Sequence, residues 1–216
     1  MGGSSGGGAR VARTSSEVVE DYLKVIYGHT EWQDDPITPK RLGERLGLSP
    51  SSVTETVKRL AAQGLVEHAR YGAITLTPAG EAEALRMVRR HRLVETWLVQ
   101  EFGYGWDEVH DEAEVLEHAL SDRMLDAIDA RLGHPVRDPH GDPIPDAQGA
   151  VPASTGLLVA EVTRGVAGRV VRISDEDPAV LRELADAGVG LDSSVRAGEL
   201  SVGAENAMWV VVEPAG

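Results

Sequence analysis

The sequence contains no cysteine. That absence excludes disulfides, thiolate ligands and thiol redox chemistry, so any metal the chain binds must be held by histidine and carboxylate side chains. Long apolar runs are missing too. None reaches the length that spans a bilayer, and the opening Met1-Gly2-Gly3-Ser4-Ser5-Gly6-Gly7-Gly8 lacks the apolar core of a secretion signal. A cytoplasmic protein without membrane contact is the expectation, and the Gly/Ser opening reads as a flexible tail over residues 1–13. Basic residues are scarce, with 21 Lys and Arg against 35 Asp and Glu and a formal net charge of -14. Carboxylates in such excess repel phosphate over a Debye length of roughly 10 Å, so indiscriminate nucleic-acid binding is excluded and any DNA contact must rest on a local basic patch. The remaining composition, 42% hydrophobic and 26% charged in 216 residues, is that of a globular protein with one or two real cores.

One stretch organises the rest. In Val109-His110-Asp111-Glu112-Ala113-Glu114-Val115-Leu116-Glu117-His118, helical geometry places His110, Glu114 and His118 one turn apart, with Glu117 three residues beyond Glu114. Imidazoles and carboxylates converging on one face suit a divalent first-row cation, and the excess of oxygen donors leans toward the harder ions. A solvated acidic helix is the alternative that spacing alone leaves open. Upstream, Thr77-Pro78 opens a long helix from about Ala79 to Gln100 on which His91 and Glu95 lie one turn apart. Such a pair on a facing helix can complete a metal site. Downstream, Leu116, Leu120, Met124, Ile128 and Leu132 continue the metal helix in four-residue steps as core or subunit interface, with dimerisation favoured.

The region before these helices reads as a winged helix-turn-helix. Val18, Tyr22, Val25 and Ile26 recur at helical spacing from Ser15 to about His29. Thr38-Pro39 opens a short helix, Gly47-Leu48 turns the chain, and Ser49-Pro50 restarts a helix that sends Val53, Val57, Leu60 and Ala61 inward until Gly64. Leu65 to His68 and Ala73 to Leu76 alternate like a hairpin around Ala69-Arg70-Tyr71-Gly72, a wing unless the hairpin merely packs. Ser49, Pro50, Ser51, Ser52, Thr54, Glu55 and Lys58 form the outward face of the recognition helix, where small hydroxyl side chains allow close approach to phosphate. Lys40, Arg41, Lys58, Arg59 and Arg70 supply the basic patch, although Arg59 fits a surface ion pair equally well.

Past Gly133 the Pro-, Gly- and Asp-rich segment 135–155 reads as a linker, and from Gly156 short Val-rich runs broken by Gly and Asp predict a small β-barrel-like domain with one helix near Pro178 to Ala187. The fold class is therefore α+β. The divisions are a DNA-binding domain over 14–77, a helical dimerisation and metal-binding domain over 78–134, the linker, and a β domain over 156–216.

Taken together, these elements resemble the diphtheria-toxin-repressor family of metal-dependent transcriptional regulators over residues 14 to 214. The resemblance is carried by Glu20-Asp21-Tyr22-Leu23 with Ile26-Tyr27, by Ser51-Ser52-Val53-Thr54 with Val57, and by Gly64-Leu65-Val66. It continues in Leu76-Thr77-Pro78-Ala79-Gly80, His91-Arg92-Leu93 with Glu95, Val109-His110-Asp111-Glu112-Ala113 with Glu117-His118, and Pro139-His140-Gly141-Asp142-Pro143-Ile144-Pro145. The C-terminal domain is similar to the family's SH3-like module.

The resemblance implies two metal sites per subunit, a primary one at Asp21, Glu114, Glu117 and His118 and an ancillary one at His91, Glu95 and His110. Within the acidic run Asp175-Glu176-Asp177, Asp177 is the expected additional ancillary donor, although Val180 stands where the family often has an amide ligand. Asp21 and Glu114 replace the methionine and cysteine of the iron-sensing branch, and carboxylates suit Mn²⁺ better than softer ions. Lys24 stands where compact manganese regulators place a bridging glutamate, which argues against a closely spaced binuclear site. The expectation is a homodimeric Mn²⁺-activated repressor of manganese uptake that binds double-stranded palindromic operator DNA. It would carry two Mn²⁺ per subunit, with Fe²⁺, Co²⁺ or Zn²⁺ able to substitute, and no organic ligand. The alternatives are an iron-dependent regulator of the same family, a carboxylate metalloenzyme of ferritin-like type, and a regulator answering to an organic effector.

Overall fold

Short helices led by proline and capped by hydroxyls shape the N-terminal part of the chain. Thr38 accepts a hydrogen bond from the Arg41 amide and Pro39 opens α2 (Pro39–Leu46), while Ser49 accepts from Ser52 and Pro50 opens α3 (Pro50–Ala62). Gly47 turns the chain between them at φ +64°, a left-handed conformation that costs glycine least. The computed structural model describes residues 15–33, 35–68 and 72–212, and the chain divides into two compact units between Ala84 and Leu85.

In the first unit α1 (Ser15–Trp32) packs with α2, α3 and the antiparallel hairpin β1 (Val66–His68) and β2 (Ile74–Leu76). Tyr22, Leu23, Ile26, Ile37, Leu42, Val53, Val57, Leu60 and Ile74 form its core, each at most 1% exposed. Burying a side chain such as Leu60 contributes about 1.5–3 kcal/mol. Gly43 lets α2 and α3 approach, since a Cβ there would lie 3.1 Å from the Leu48 carbonyl oxygen and 3.2 Å from Val53.

The long helix α4 (Pro78–Phe102) runs across the division between the units. In the second unit it is followed by α5 (Val109–Leu116) and α6 (Asp122–Arg131). The sequence predicts one continuous helix through Leu132. Instead α5 ends, and Ser121 starts α6 by accepting from the Met124 amide at 3.3 Å. Arg90 of α4 explains the break: its guanidinium donates to the Leu120 carbonyl, lies 3.4 Å from that of Glu117 and pairs with Asp122. Carbonyls left open by the interrupted helix are thereby satisfied.

A four-stranded antiparallel sheet ends the chain in the order β3 (Leu157–Leu158), β6 (Met208–Val212), β4 (Ala167–Ile173), β5 (Ser194–Arg196). A register shift interrupts the β4 and β6 pairing between Val170 and Arg172. With α7 (Pro178–Asp186) and a short helix that sequence pattern did not reveal, α8 (Val202–Asn206), the sheet encloses Val159, Val170, Ile173, Leu181, Leu184, Met208 and Val210. The segment read as a linker departs from expectation. Residues 138–145 are almost all buried, and a Cβ on Gly141, which sits at φ +87°, would collide with the Val171 carbonyl oxygen. Proline and glycine serve tight packing there rather than slack. The architecture is α+β, a helix-turn-helix unit with hairpin followed by helices and a small antiparallel sheet.

Candidate metal centre

Helical spacing on α4 turns His91 and Glu95 into the interior of the second unit, where they are 6% and 1% exposed. His91 Nε2 lies 3.0 Å from Glu95 Oε1, and its Nδ1 lies 2.6 Å from Glu117 Oε2, just past the end of α5. From α5, His110 brings Nδ1 to 3.5 Å from Glu95 Oε1 and Nε2 to 3.9 Å from Glu114. His118 Nε2 stands 3.4 Å from Glu117 Oε1. One ligand-capable group contains His91, Glu95, His110 and Asp175, and another His91, Glu114 and Glu117, with the donor atoms of each group within 4.8 Å of one another.

Asp175 was not the carboxylate expected. Asp177, the predicted donor, is exposed and caps α7 by accepting from the Ala179 amide at 2.8 Å. Asp175 follows the end of β4 and reaches His110 Nδ1 at 3.0 Å. Of the remaining primary residues, Asp21 is buried on α1 of the first unit.

Electrostatics in the cluster are strongly shifted. Burial opposes the charged form of His110, but Asp175 and Glu95 outweigh it and push the imidazole up to about 11. Burial likewise opposes ionisation of Asp175 and Glu95. His110 nevertheless holds Asp175 below the carboxylate range, while His91, His110 and His140 hold Glu95 well below it. Protons on the imidazoles are what a metal cation would displace. The fit to a cation is supported by orphaned atoms: Glu95 Oε2, His110 Nδ1 and His140 Nδ1 are buried without a hydrogen-bond partner. Nitrogen and oxygen donors of this kind suit divalent ions from Mn²⁺ to Zn²⁺.

A buried charge network that sequence reasoning missed fixes the frame. Arg92 donates to the Pro143 carbonyl at 2.8 Å and to Asp142 Oδ2 at 2.9 Å, and Arg172 of β4 donates to Asp142 Oδ1. The Ile173 amide donates to the His140 carbonyl at 2.8 Å. The strand that delivers Asp175 is thus tied to α4 through residues 138–145. Their only trace in sequence was the motif Pro139 to Pro145.

In the first unit Ser49, Pro50, Ser51, Ser52, Thr54, Glu55, Lys58 and Arg59 are all exposed on or beside α3, opposite buried Val53, Val57 and Leu60. The Thr54 hydroxyl donates to the Pro50 carbonyl at 2.8 Å. Lys40 and Arg41 are exposed on α2, each 3.9 Å from Glu44, and Arg70 lies outside the described residues.

Comparison with known proteins follows this division. The family model for the iron dependent repressor N-terminal DNA binding domain matches residues 15–74, and that for the iron dependent repressor metal binding and dimerisation domain matches residues 77–146. The chain belongs to the iron-dependent repressor family. Family membership removes the carboxylate-metalloenzyme alternative, because the family consists of transcriptional repressors. The iron-dependent repressor IdeR of Mycobacterium leprae is 37% identical over 131 residues, 60% of this chain and 56% of that protein, so the chain spans little more than half the length of that relative. The diphtheria toxin repressor of Corynebacterium diphtheriae is 33% identical over 169 residues, 74% of this chain and 73% of that protein. A solved manganese-dependent transcriptional repressor in complex with manganese superimposes with a TM-score of 0.85 at 49% identity, covering 90% of this family member and 100% of the other chain. Among the described residues, no helix is long and apolar enough to cross a membrane.

Proposed function

We propose that this family member is a Mn²⁺-activated transcriptional repressor that binds palindromic operator DNA as a homodimer in the cytoplasm and controls manganese uptake. The observation that carries the reading is the nitrogen and oxygen donor cluster in which buried His91, Glu95 and Glu117 meet half-buried His110, Glu114 and Asp175. The likeness to a manganese-dependent repressor supports the choice of ion. Asp21, Glu114, Glu117 and His118 would hold the activating ion. His91, Glu95 and His110, with Asp175 in place of Asp177, would hold a second, and Fe²⁺, Co²⁺ or Zn²⁺ can substitute. When bound, the ion supplies positive charge and a hard Lewis acid for several carboxylates at once.

Asp21 carries the coupling in this reading. It belongs to the first unit, whereas Glu114, Glu117 and His118 belong to the second, so shared ligation restricts the recognition helices of a dimer to one spacing. Ser51 and Ser52 approach phosphate, Thr54 and Glu55 face bases, and Lys40, Arg41, Lys58 and Arg59 contact the backbone. Neutralising carboxylates in a chain of net charge -14 also eases approach to DNA.

An iron-dependent regulator of the same family is the second reading, favoured by the matching family models and the mycobacterial relative. The test is binding of a duplex selected from a randomised pool, measured by anisotropy at controlled free Mn²⁺, Fe²⁺, Co²⁺ and Zn²⁺. The manganese reading expects the strongest gain with Mn²⁺, a severe loss in His118→Ala and a partial one in His91→Ala. A stronger response to Fe²⁺ establishes the iron reading, and equal affinity with and without chelator overturns both.

A further inference from the structure

The outward stripe of α3 carries three kinds of side chain in order. Ser51 and Ser52 open it, Glu55 follows one turn later, and Lys58 and Arg59 close it a further turn on, all of them exposed. At a rise of roughly 1.5 Å per residue the run from Ser51 to Lys58 covers about 10 Å, close to the roughly 12 Å width of the DNA major groove. Hydroxyls at one end and cations at the other suit the phosphates that border the groove. The carboxylate between them does not, because phosphate repels it.

The hydroxyls beside Glu55 are already committed. Ser49 Oγ lies 2.9 Å from Ser51 Oγ and 3.0 Å from Ser52 Oγ, and the Thr54 hydroxyl donates to the Pro50 carbonyl at 2.8 Å. Glu55, by contrast, makes no hydrogen bond or ion pair among the described residues, although Lys58 and Arg59 stand one turn away on the same stripe. In a chain of net charge -14, such a carboxylate weakens the approach to every duplex unless a base donates to it.

A carboxylate can only accept, so its partner must be an amino group on a base edge. In the major groove these are N4 of cytosine and N6 of adenine. Adenine N6 sits between two acceptors, its own N7 and O4 of the paired thymine, and both repel a carboxylate. Cytosine N4 has an acceptor on one side only, O6 of the paired guanine, and a C–H group on the other. Cytosine is therefore the better partner.

We propose that Glu55 is a specificity-determining residue that reads a cytosine in each operator half-site by accepting a hydrogen bond from its N4 amino group. The inference rests on the reading of α3 as the recognition helix and names the base that this part of it selects. The same charge that accepts from cytosine repels duplexes offering an acceptor at that point, so attraction and rejection come from one side chain.

The test enriches duplexes from a randomised pool with the full chain and with Glu55→Gln, each at saturating Mn²⁺ and again with chelator. Glutamine keeps the shape of the side chain but pairs a donor with its acceptor, which matches N6 and N7 of adenine. The parent is expected to prefer cytosine at one position of each half-site by roughly 5- to 100-fold, and Glu55→Gln to prefer adenine there with the other positions unchanged. Glu55→Gln is also expected to bind a scrambled version of the selected duplex about two- to fivefold more tightly, because a repelling charge is gone. Identical base preferences in the two proteins overturn the inference and leave the DNA-binding reading intact. So does a parent preference for another base at the position that Glu55→Gln changes. No enrichment by either protein with Mn²⁺ over chelator removes the metal-dependent reading together with the inference.

Discussion

In the first unit the interior side of α3 consists of Val53, Val57 and Leu60, each 0% exposed, whereas the second-unit part of α4 buries Arg90, His91, Arg92, Glu95 and Thr96 at 1–7% exposed. An apolar face needs only to be covered, and its contribution scales with area. A buried ionic face is stable only when every charge meets a partner, and removing one partner strands the rest. The first unit therefore folds on local terms. The second depends on what its charges find, including protons and metal ions.

The sharpest way to break that contrast is to remove one charge and one apolar group of comparable burial. Asp142→Ala removes the carboxylate that Arg92 and Arg172 share and should destabilise the second unit by about 3–5 kcal/mol. Leu60→Ala should cost the first unit about 2–5 kcal/mol. Hydrogen exchange read by mass spectrometry during denaturant unfolding reports which unit opens. An Asp142→Ala cost under about 1 kcal/mol would mean that the network is ornamental to stability.

Metal should act on one side of the comparison first. Free Mn²⁺ at a hundredfold excess over its dissociation constant stabilises the binding state by about 2.7 kcal/mol. In the proposed arrangement Asp21 extends that protection to α1, so Asp21→Ala confines it to amides of α4 and α5. Protection that spreads to α1 as strongly in Asp21→Ala as in the parent would refute the assigned coupling.

What could be read from the sequence follows the same divide. Thr38-Pro39, Ser49-Pro50 and Gly47 are local signals, and α2 begins and ends, and α3 begins, where those residues dictate. His91 with Glu95 and His110 with Glu114 were legible because each pair lies one turn apart on a helix. The additional donor was expected at Asp177, two residues from the Asp175 that lies beside His110. Yet Asp177 before Pro178 is itself a helix-start signature, and weighing it would have assigned Asp177 to capping and freed Asp175 for His110. His140 was visible only within the motif Pro139 to Pro145, because its partner Trp106 is 34 residues away and its surroundings are set by tertiary packing. The break between α5 and α6 was hidden for the same reason, since it depends on Arg90 reaching Leu120 from another helix.

A cap is the smallest purely local device, and Ser49→Ala tests it. Loss of the side-chain acceptor for the Ser52 amide should cost about 1 kcal/mol, confined to the first turn of α3 and independent of metal and pH. An effect that varied with Mn²⁺ at fixed ionic strength would show the first unit to be less self-sufficient than its core implies.

An effect of similar size at pH 7, but one that fades in acid, belongs to the second unit. Asp129 of α6 lies 2.9 Å from Arg89 of α4 and 2.9 Å from His134. Burial favours its neutral form, but the bonds from His134 and Arg89 outweigh burial and hold its pKa below the ordinary carboxylate value. A carboxyl depressed in the folded state binds fewer protons there than in the unfolded chain. Its stabilisation is therefore complete above the unfolded pKa of about 4 and is lost as pH falls through the folded value. Asp129→Asn should lower stability at pH 7 by about 1 kcal/mol, the size of an ordinary hydrogen bond, and the difference from the parent should shrink to nothing in strong acid. The bond from His134, whose side chain is 74% exposed, is weakened by solvent screening, which leaves Arg89 as the main partner. His134→Asn keeps a residue type that tolerates the φ of 57° found there, so it should leave the acid limb nearly unchanged. Denaturant titrations of the three proteins between pH 3 and pH 7, with chelator present throughout, separate the two variants. If Asp129→Asn matched the parent at every pH, the acid sensitivity of the second unit would have to come from its other buried carboxylates.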